Sequence, residues 1–388
     1  MLSMIVVGVS STDIYVPAMP QMVTNLHTSS AMVGLTITTY LIGMAFGVLF
    51  WGVISDNYGR KSVLTFTLTA YLLSCLLIAF SINIWMILVL RFFQGIIVAS
   101  FPVVCRLLLN DFLTGTKLFH AINLVNLNLV LSPALAPLVG AWICERFDWR
   151  ACFLFNTICS LILLIFHIRF IKEAKKDLSK KLPSFNVWFS DYFKVLKHFQ
   201  YSVNNIMIMA NYAIYYAFIT VSSFIYITQF NFSPTVYAII LLAASATYYI
   251  GSLFAKYIKT HKKHIKYLES MLWADLITLA GACLLILSWI TNIQILQIIL
   301  ISVSFGFTRF GFGLMYTSGQ VRAIDFFPEQ KGYALGACFF LMFLAGSLGA
   351  GWASSFHKDH LFGLTFVITT LSLVLMISHF IARKCKTG

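Results

Sequence analysis

Residues 52–64 read GVISDNYGRKSVL, a polar stretch set between two long apolar runs. Gly52 and Gly59 allow a tight turn and close backbone approach. Asp56 and Arg60 are four residues apart, and Lys61 follows directly. A carboxylate there can accept from Arg60 or sit at the positive N-terminus of a neighbouring helix. Such a contact can hold two helices together in one conformation and release them in another. The paired cations next to an apolar run also mark the inner face of a membrane.

Outward from this stretch the chain is apolar in both directions. Its 388 residues are 60% hydrophobic and only 10% charged, with mean hydropathy +0.86. Soluble domains carry about 25% charged residues, so this composition suits lipid. Twelve runs are long enough for the roughly 20 residues a spanning helix needs. They cover about 2–24, 30–53, 63–82, 84–107, 118–141, 150–171, 202–228, 235–257, 268–290, 293–317, 330–353 and 360–382. Barrel strands would alternate in polarity, and these runs do not. The expected fold class is therefore all-α integral membrane, with twelve transmembrane helices in two six-helix halves. Residues 1–171 form the N-terminal bundle, 172–200 a cytoplasmic basic linker and 201–388 the C-terminal bundle. Two such halves suggest an internally repeated transporter. Residues 183–199 are amphipathic and suit the inner membrane surface.

The net charge of +14 follows the same topology. With the N-terminus inside, 22 of the 27 lysines and arginines fall in inner loops and the C-terminus, against 3 in outer loops. This is the positive-inside pattern, and it places both termini in the cytoplasm. The basic excess is then topology, not a nucleic-acid surface. The expected partners are the lipid bilayer and a small-molecule substrate, with no nucleic acid, and the chain is read as a monomer. The first run lacks a basic n-region and reads as a retained helix. No pair of the eight cysteines forms CxxC, and packed thiols are expected.

Few ionisable residues lie deep in the spans: Asp13, Arg91 and Arg309, with Asp275 nearer an inner end. Each costs at least about 2.5–3.5 kcal/mol at the bilayer centre, so each should face a cavity or a partner. About 18 Å of helix precedes Asp13, which puts it near mid-membrane. Pro17 and Pro20 lack N–H groups, so the carbonyls of Asp13 and Val16 lose their helical partners. The stretch STDIYVPAMP, residues 11–20, reads as a bendable polar site with Asp13 as the leading proton carrier. Neither paired carboxylates nor a Gly-Lys-Ser/Thr phosphate loop is present. An enzyme and an ATP-driven pump are thus disfavoured. The histidine pair in KYIKTHKKHIK, residues 256–266, lies among cations that repel a metal, and no metal site is expected.

Gly52, Ser55, Asp56, Gly59, Arg60 and Lys61 together resemble the signature loop of the major facilitator superfamily, with Asn57 departing from its usual basic residue. The resemblance implies an inner gate of Asp56, Gly59, Arg60 and Lys61 against span eleven. That span begins FPEQKGYALG, with Pro328 placed to start the helix and Glu329 in its first turn. It also implies that spans two and eleven meet; span two carries Gly43 and Gly47 and span eleven Gly332 and Gly336, glycines that structural packing alone explains equally well. RFFQG, residues 91–95, resembles the span-four motif of proton antiporters through Arg91, Gln94 and Gly95. LSPALAPLVGAW, residues 131–142, resembles the span-five exporter motif through Pro133, Pro137 and Gly140. DIYVPAMP is similar to the first-span motif of the bicyclomycin/chloramphenicol-resistance (Bcr/CflA) drug–proton antiporters. In that fold spans one, four, seven and ten line the cavity. The implied coupling and substrate residues are Asp13, Tyr15, Arg91, Gln94, Arg309, Asn211 and Tyr215, and Arg309 hints at an anionic or zwitterionic substrate.

The expected function is proton-coupled export of small molecules by alternating access across the bacterial inner membrane. No cofactor is implied, and the proton gradient is the energy source. The substrate is a drug, or alternatively an endogenous metabolite such as a siderophore or amino acid.

Overall fold

The computed structural model describes residues 2–171, 173, 185–261 and 267–384. Among these the regular structure is helical. The helices are α1 (Leu2–Asp13), α2 (Met19–Asn25), α3 (Ser30–Tyr58), α4 (Arg60–Ala79), α5 (Ile84–Val98), α6 (Ser100–Phe112), α7 (Gly115–Cys144) and α8 (Arg150–Phe170). They continue as α9 (Phe185–Lys197), α10 (Phe199–Ser223), α11 (Pro234–His261), α12 (Tyr267–Ile290), α13 (Gln294–Asp325), α14 (Lys331–Ser355) and α15 (His360–Lys384). A π-helical turn, Phe224–Gln229, extends α10.

Local chemistry explains the boundaries. Ser29 caps α3 by accepting from the Met32 N–H at 3.3 Å, and Asn83 caps α5 through the Met86 N–H at 2.9 Å. Gly59 separates α3 from α4 with φ +88° and ψ 141°, a backbone region open essentially to glycine alone. Gly52, by contrast, lies inside α3, where its nearest neighbour for a Cβ is Val103 at 3.8 Å. It serves neither a turn nor a close approach, which corrects its sequence reading. The first span breaks as its prolines demand: α1 ends at Asp13, and Val16–Ala18 tightens into a 3₁₀ turn. The Ala18 N–H donates to the Tyr15 carbonyl at 2.9 Å.

Ten spans, counting α5–α6 and α10 with its π turn as one each, are long and apolar enough to cross a membrane among the described residues. The other two expected spans are the broken α1–α2 segment and α7, which carries Pro133 and Pro137 within a continuous helix. Burial separates inner from outer helices. The apolar core of the α10 span is 89% buried, whereas α8 is 28% buried and turns Ile158, Leu161, Ile165 and Phe166 outward. A surface so apolar suits lipid contact.

Contacts divide the chain into Met1–Ser184 and Phe185–Gly388. Each unit repeats one pairing scheme. In the first, α3 packs on α5, α4 on α8 and α1 on α7; in the second, α11 packs on α13, α12 on α15 and α10 on α14. By span these are the same pairs: second with fourth, third with sixth, first with fifth. Within the basic linker, residues 172 and 174–184 lie outside the described residues, and α9 packs on α10 and α14.

The start of span eleven is corrected here. Pro328 and Glu329 form a turn, and α14 starts only at Lys331 with no acidic residue in its first turn. Some of the span-two and span-eleven glycines serve close approach within a half. A Cβ on Gly43 would strike the Phe92 carbonyl, and one on Gly349 the Ala213 carbonyl. Gly43 thus lets α3 approach α5, and Gly349 lets α14 approach α10.

Candidate functional site

Arg91 is the centre of the first half's polar core. It is fully buried on α5. Its Nη1 donates to Gln94 Oε1 at 2.6 Å and to Ser11 Oγ at 3.3 Å. Its Nη2 donates to Tyr15 Oη at 3.3 Å and Thr12 Oγ1 at 3.4 Å. The guanidinium also lies over two rings, 4.7 Å from the Tyr15 centroid and 4.2 Å from that of Tyr40. Gln94 passes the network on, its Nε2 donating to Ser74 Oγ at 3.1 Å and Cys75 Sγ at 3.2 Å. Tyr15 shares a hydrogen bond with Thr36 at 2.9 Å. Of the residues singled out in the sequence, Tyr15, Arg91 and Gln94 are brought together here, and the segment Ser11–Tyr15 is what grips the arginine.

Asp13 sits on that segment at the end of α1, only 4% exposed. The break beside it is held from α7. A Cβ on Gly140 would collide with the Ile14 carbonyl oxygen, so glycine is needed for α7 to reach the interrupted backbone. Gln21 Nε2 donates to the Cys144 carbonyl at 2.8 Å, extending the same contact. The first-span and fifth-span motifs thus describe one packed junction. Pro133 and Pro137 lie on α7 about two turns and one turn before Gly140, respectively.

At the inner end, Arg60 is 4% exposed and bridges two carboxylates. Its Nη2 lies 3.0 Å from Asp56 Oδ1, and its Nε faces Asp111 Oδ2 from the end of α6. Glu173 caps α4: the N–H groups of Lys61 and Ser62 donate to its two oxygens at 3.0 and 3.2 Å. Its carboxylate also lies where a Cβ on Gly59 would go, 2.9 Å away. Lys61 Nζ donates to the Ile168 carbonyl at 3.2 Å. The loop is therefore bound to α6 and to the end of α8 by partners the sequence motif does not contain.

In the second half Arg309 lies on α13, 6% exposed, 4.2 Å from the Tyr215 ring centroid and 4.7 Å from that of Tyr248. Asn211 serves packing. It donates to Met315 Sδ at 2.8 Å and receives Thr278 Oγ1 at 3.5 Å, joining α10 to α13 and α12. Asp275 and His379 meet at 2.9 Å in a fully buried pair between α12 and α15.

Sequence reasoning missed Tyr40, Asp111, Glu173, Tyr248 and the Asp275–His379 pair. Asp111 carried a signal, being an acidic residue at the cation-rich inner end of span four. Tyr40 and Tyr248 carried none, since aromatics are common in every span.

The sequence model of the Major Facilitator Superfamily matches residues 1–382. A bicyclomycin resistance protein homolog of Haemophilus influenzae is 28% identical over 217 residues, 55% of this chain and 54% of that protein. The chain thus matches about half the length of that relative. Multidrug resistance protein D of Escherichia coli is 24% identical over 85% of this chain and 81% of its own. The crystal structure of the nucleoside transporter NupG superposes with a TM-score of 0.74 at 14% identity, covering 99% of both chains. At that identity the likeness concerns the fold alone. With the repeated six-helix pairing, the capped glycine loop and a family match over nearly its whole length, this chain belongs to the major facilitator superfamily.

Proposed function

We propose that this chain is a proton-coupled secondary transporter that exports small molecules, and that it is not an enzyme. Its location is the bacterial inner membrane, with both termini in the cytoplasm. It works as a monomer, without a cofactor and without nucleic acid, driven by the proton gradient. Relatives named for bicyclomycin and multidrug resistance support drugs as substrates.

The observation that carries the reading is Asp13. This carboxylate is 4% exposed at an interrupted helix end, on the same five-residue segment that surrounds Arg91. The charge state of a buried carboxylate follows the balance between desolvation and nearby cations. A site whose access alternates shifts that balance, taking a proton from one side and yielding it to the other. Arg91 is already committed to Gln94, Ser11, Thr12 and Tyr15, so its part is to hold the segment and set the local field. At the inner end, the Asp56–Arg60–Asp111 bridge and the Glu173 cap supply contacts that gate movement can break and remake.

The test is reconstitution into proteoliposomes with an imposed pH gradient and a panel including bicyclomycin and chloramphenicol. The expected result is saturable, gradient-driven accumulation that a protonophore collapses. Flux that neither saturates nor responds to the gradient would sink the proposal.

A further inference from the structure

Each half holds one arginine between two tyrosine rings, but the two guanidinium groups are used differently. Arg91 spends its Nη donors on Ser11, Thr12, Tyr15 and Gln94. Arg309 has the matching rings, Tyr215 at 4.2 Å and Tyr248 at 4.7 Å, on the span-seven and span-eight helices. Yet among the described residues its guanidinium donates no hydrogen bond and meets no carboxylate, although the residue is 6% exposed. Aromatic faces offset part of a cation's charge. They are weak acceptors for its N–H groups. A guanidinium has five donors in a rigid fork that matches a carboxylate. A fork with no acceptor among the described residues has its donors open to a visiting one.

We propose that Arg309, with Tyr215 and Tyr248, is a recognition site for the carboxylate of a planar organic substrate. The proposal rests on the transporter reading and adds a substrate class to it. A single cation with no carboxylate beside it among the described residues balances one negative charge, so a monocarboxylate fits better than a phosphate dianion. The planar body follows from the surroundings: Tyr216 lies 4.9 Å from Tyr215, and Phe312 lies 5.5 Å from Tyr248. An aromatic ligand adds edge and offset contacts of the same kind. The first half has the same cage already filled from within, so the difference between the repeats marks the second cage as the one left for a ligand.

The test is equilibrium binding to the full-length protein in detergent, without any gradient, by titration calorimetry. Three isosteric probes serve: 2-naphthoate, neutral 2-naphthamide and cationic 2-naphthamidine. The expected result is that 2-naphthoate binds about tenfold or more tighter than the other two, as a lost charge-assisted hydrogen bond implies. Arg309→Gln should abolish that preference, with folding checked by gel filtration and helical circular dichroism. If the glutamine variant does not fold, Arg309→Lys gives the readout: it keeps a cation for the rings but loses the fork, so the preference should fall several-fold. Equal affinity for the three probes would overturn the proposal, as would an undiminished preference in a folded Arg309 variant. Because no gradient is used, failure here leaves gradient-driven drug export standing. Conversely, intact Arg309-dependent binding beside failed gradient-driven export would remove the coupling and keep the carboxylate site.

Discussion

At the scale of single residues, Arg91 does the most to organise the first half. It is fully buried and binds Ser11, Thr12, Tyr15 and Gln94 while lying over two rings. Lysine keeps the charge there but cannot reach both branches of the network. Arg91→Lys should therefore lower stability by about 1.5–3 kcal/mol, the worth of a hydrogen bond to a charged group. A reduced midpoint in thermal unfolding of the purified protein checks this, and an unchanged midpoint contradicts it. The importance of Arg91 and Asp13 was legible because charge in a bilayer is costly enough to single them out. Their partners were not. Thr36, Tyr40, Ser74 and Cys75 are ordinary span residues until packing brings them to the guanidinium side. The Asp275–His379 pair shows the same limit, since residues 104 apart meet only through the α12–α15 contact.

At the scale of elements, the junction of the broken first span with α7 is the most demanding contact. Gly140 lies directly against the Ile14 carbonyl, so Gly140→Ala must push α7 off the segment that carries Asp13. Overpacking of this kind costs about 1–3 kcal/mol, and here it also displaces the proposed proton site. Loss of transport with a lower unfolding midpoint is expected. Gly52→Ala, whose Cβ meets only Val103 at 3.8 Å, should be tolerated in the same assays despite its place in the signature loop. The broken first span was readable because proline removes a donor whatever surrounds it. The start of α14 was not: Pro328 suits a first helical turn, yet it takes a loop turn and the helix begins three residues on. The glycine stripe of span two told of close approach, and packing shows where. Gly43 and Gly47 both abut the backbone of α5.

At the scale of the molecule, two six-helix units repeat one pairing scheme, and both carry a tyrosine-caged arginine. The spans and the family were legible, since apolar length and the GVISDNYGRKSVL motif depend little on tertiary detail. The different use of the two arginines was not, because it lies in what each guanidinium meets. The central proposal is that Asp13 couples proton movement to export. It is tested most directly by Asp13→Asn in proteoliposomes, with substrate exchange and gradient-driven accumulation measured side by side. Coupling between two bound species is typically about 1–3 kcal/mol. Accumulation should therefore fall by at least about fivefold while exchange without a gradient persists. Gradient-driven accumulation equal to that of the unaltered protein would contradict it.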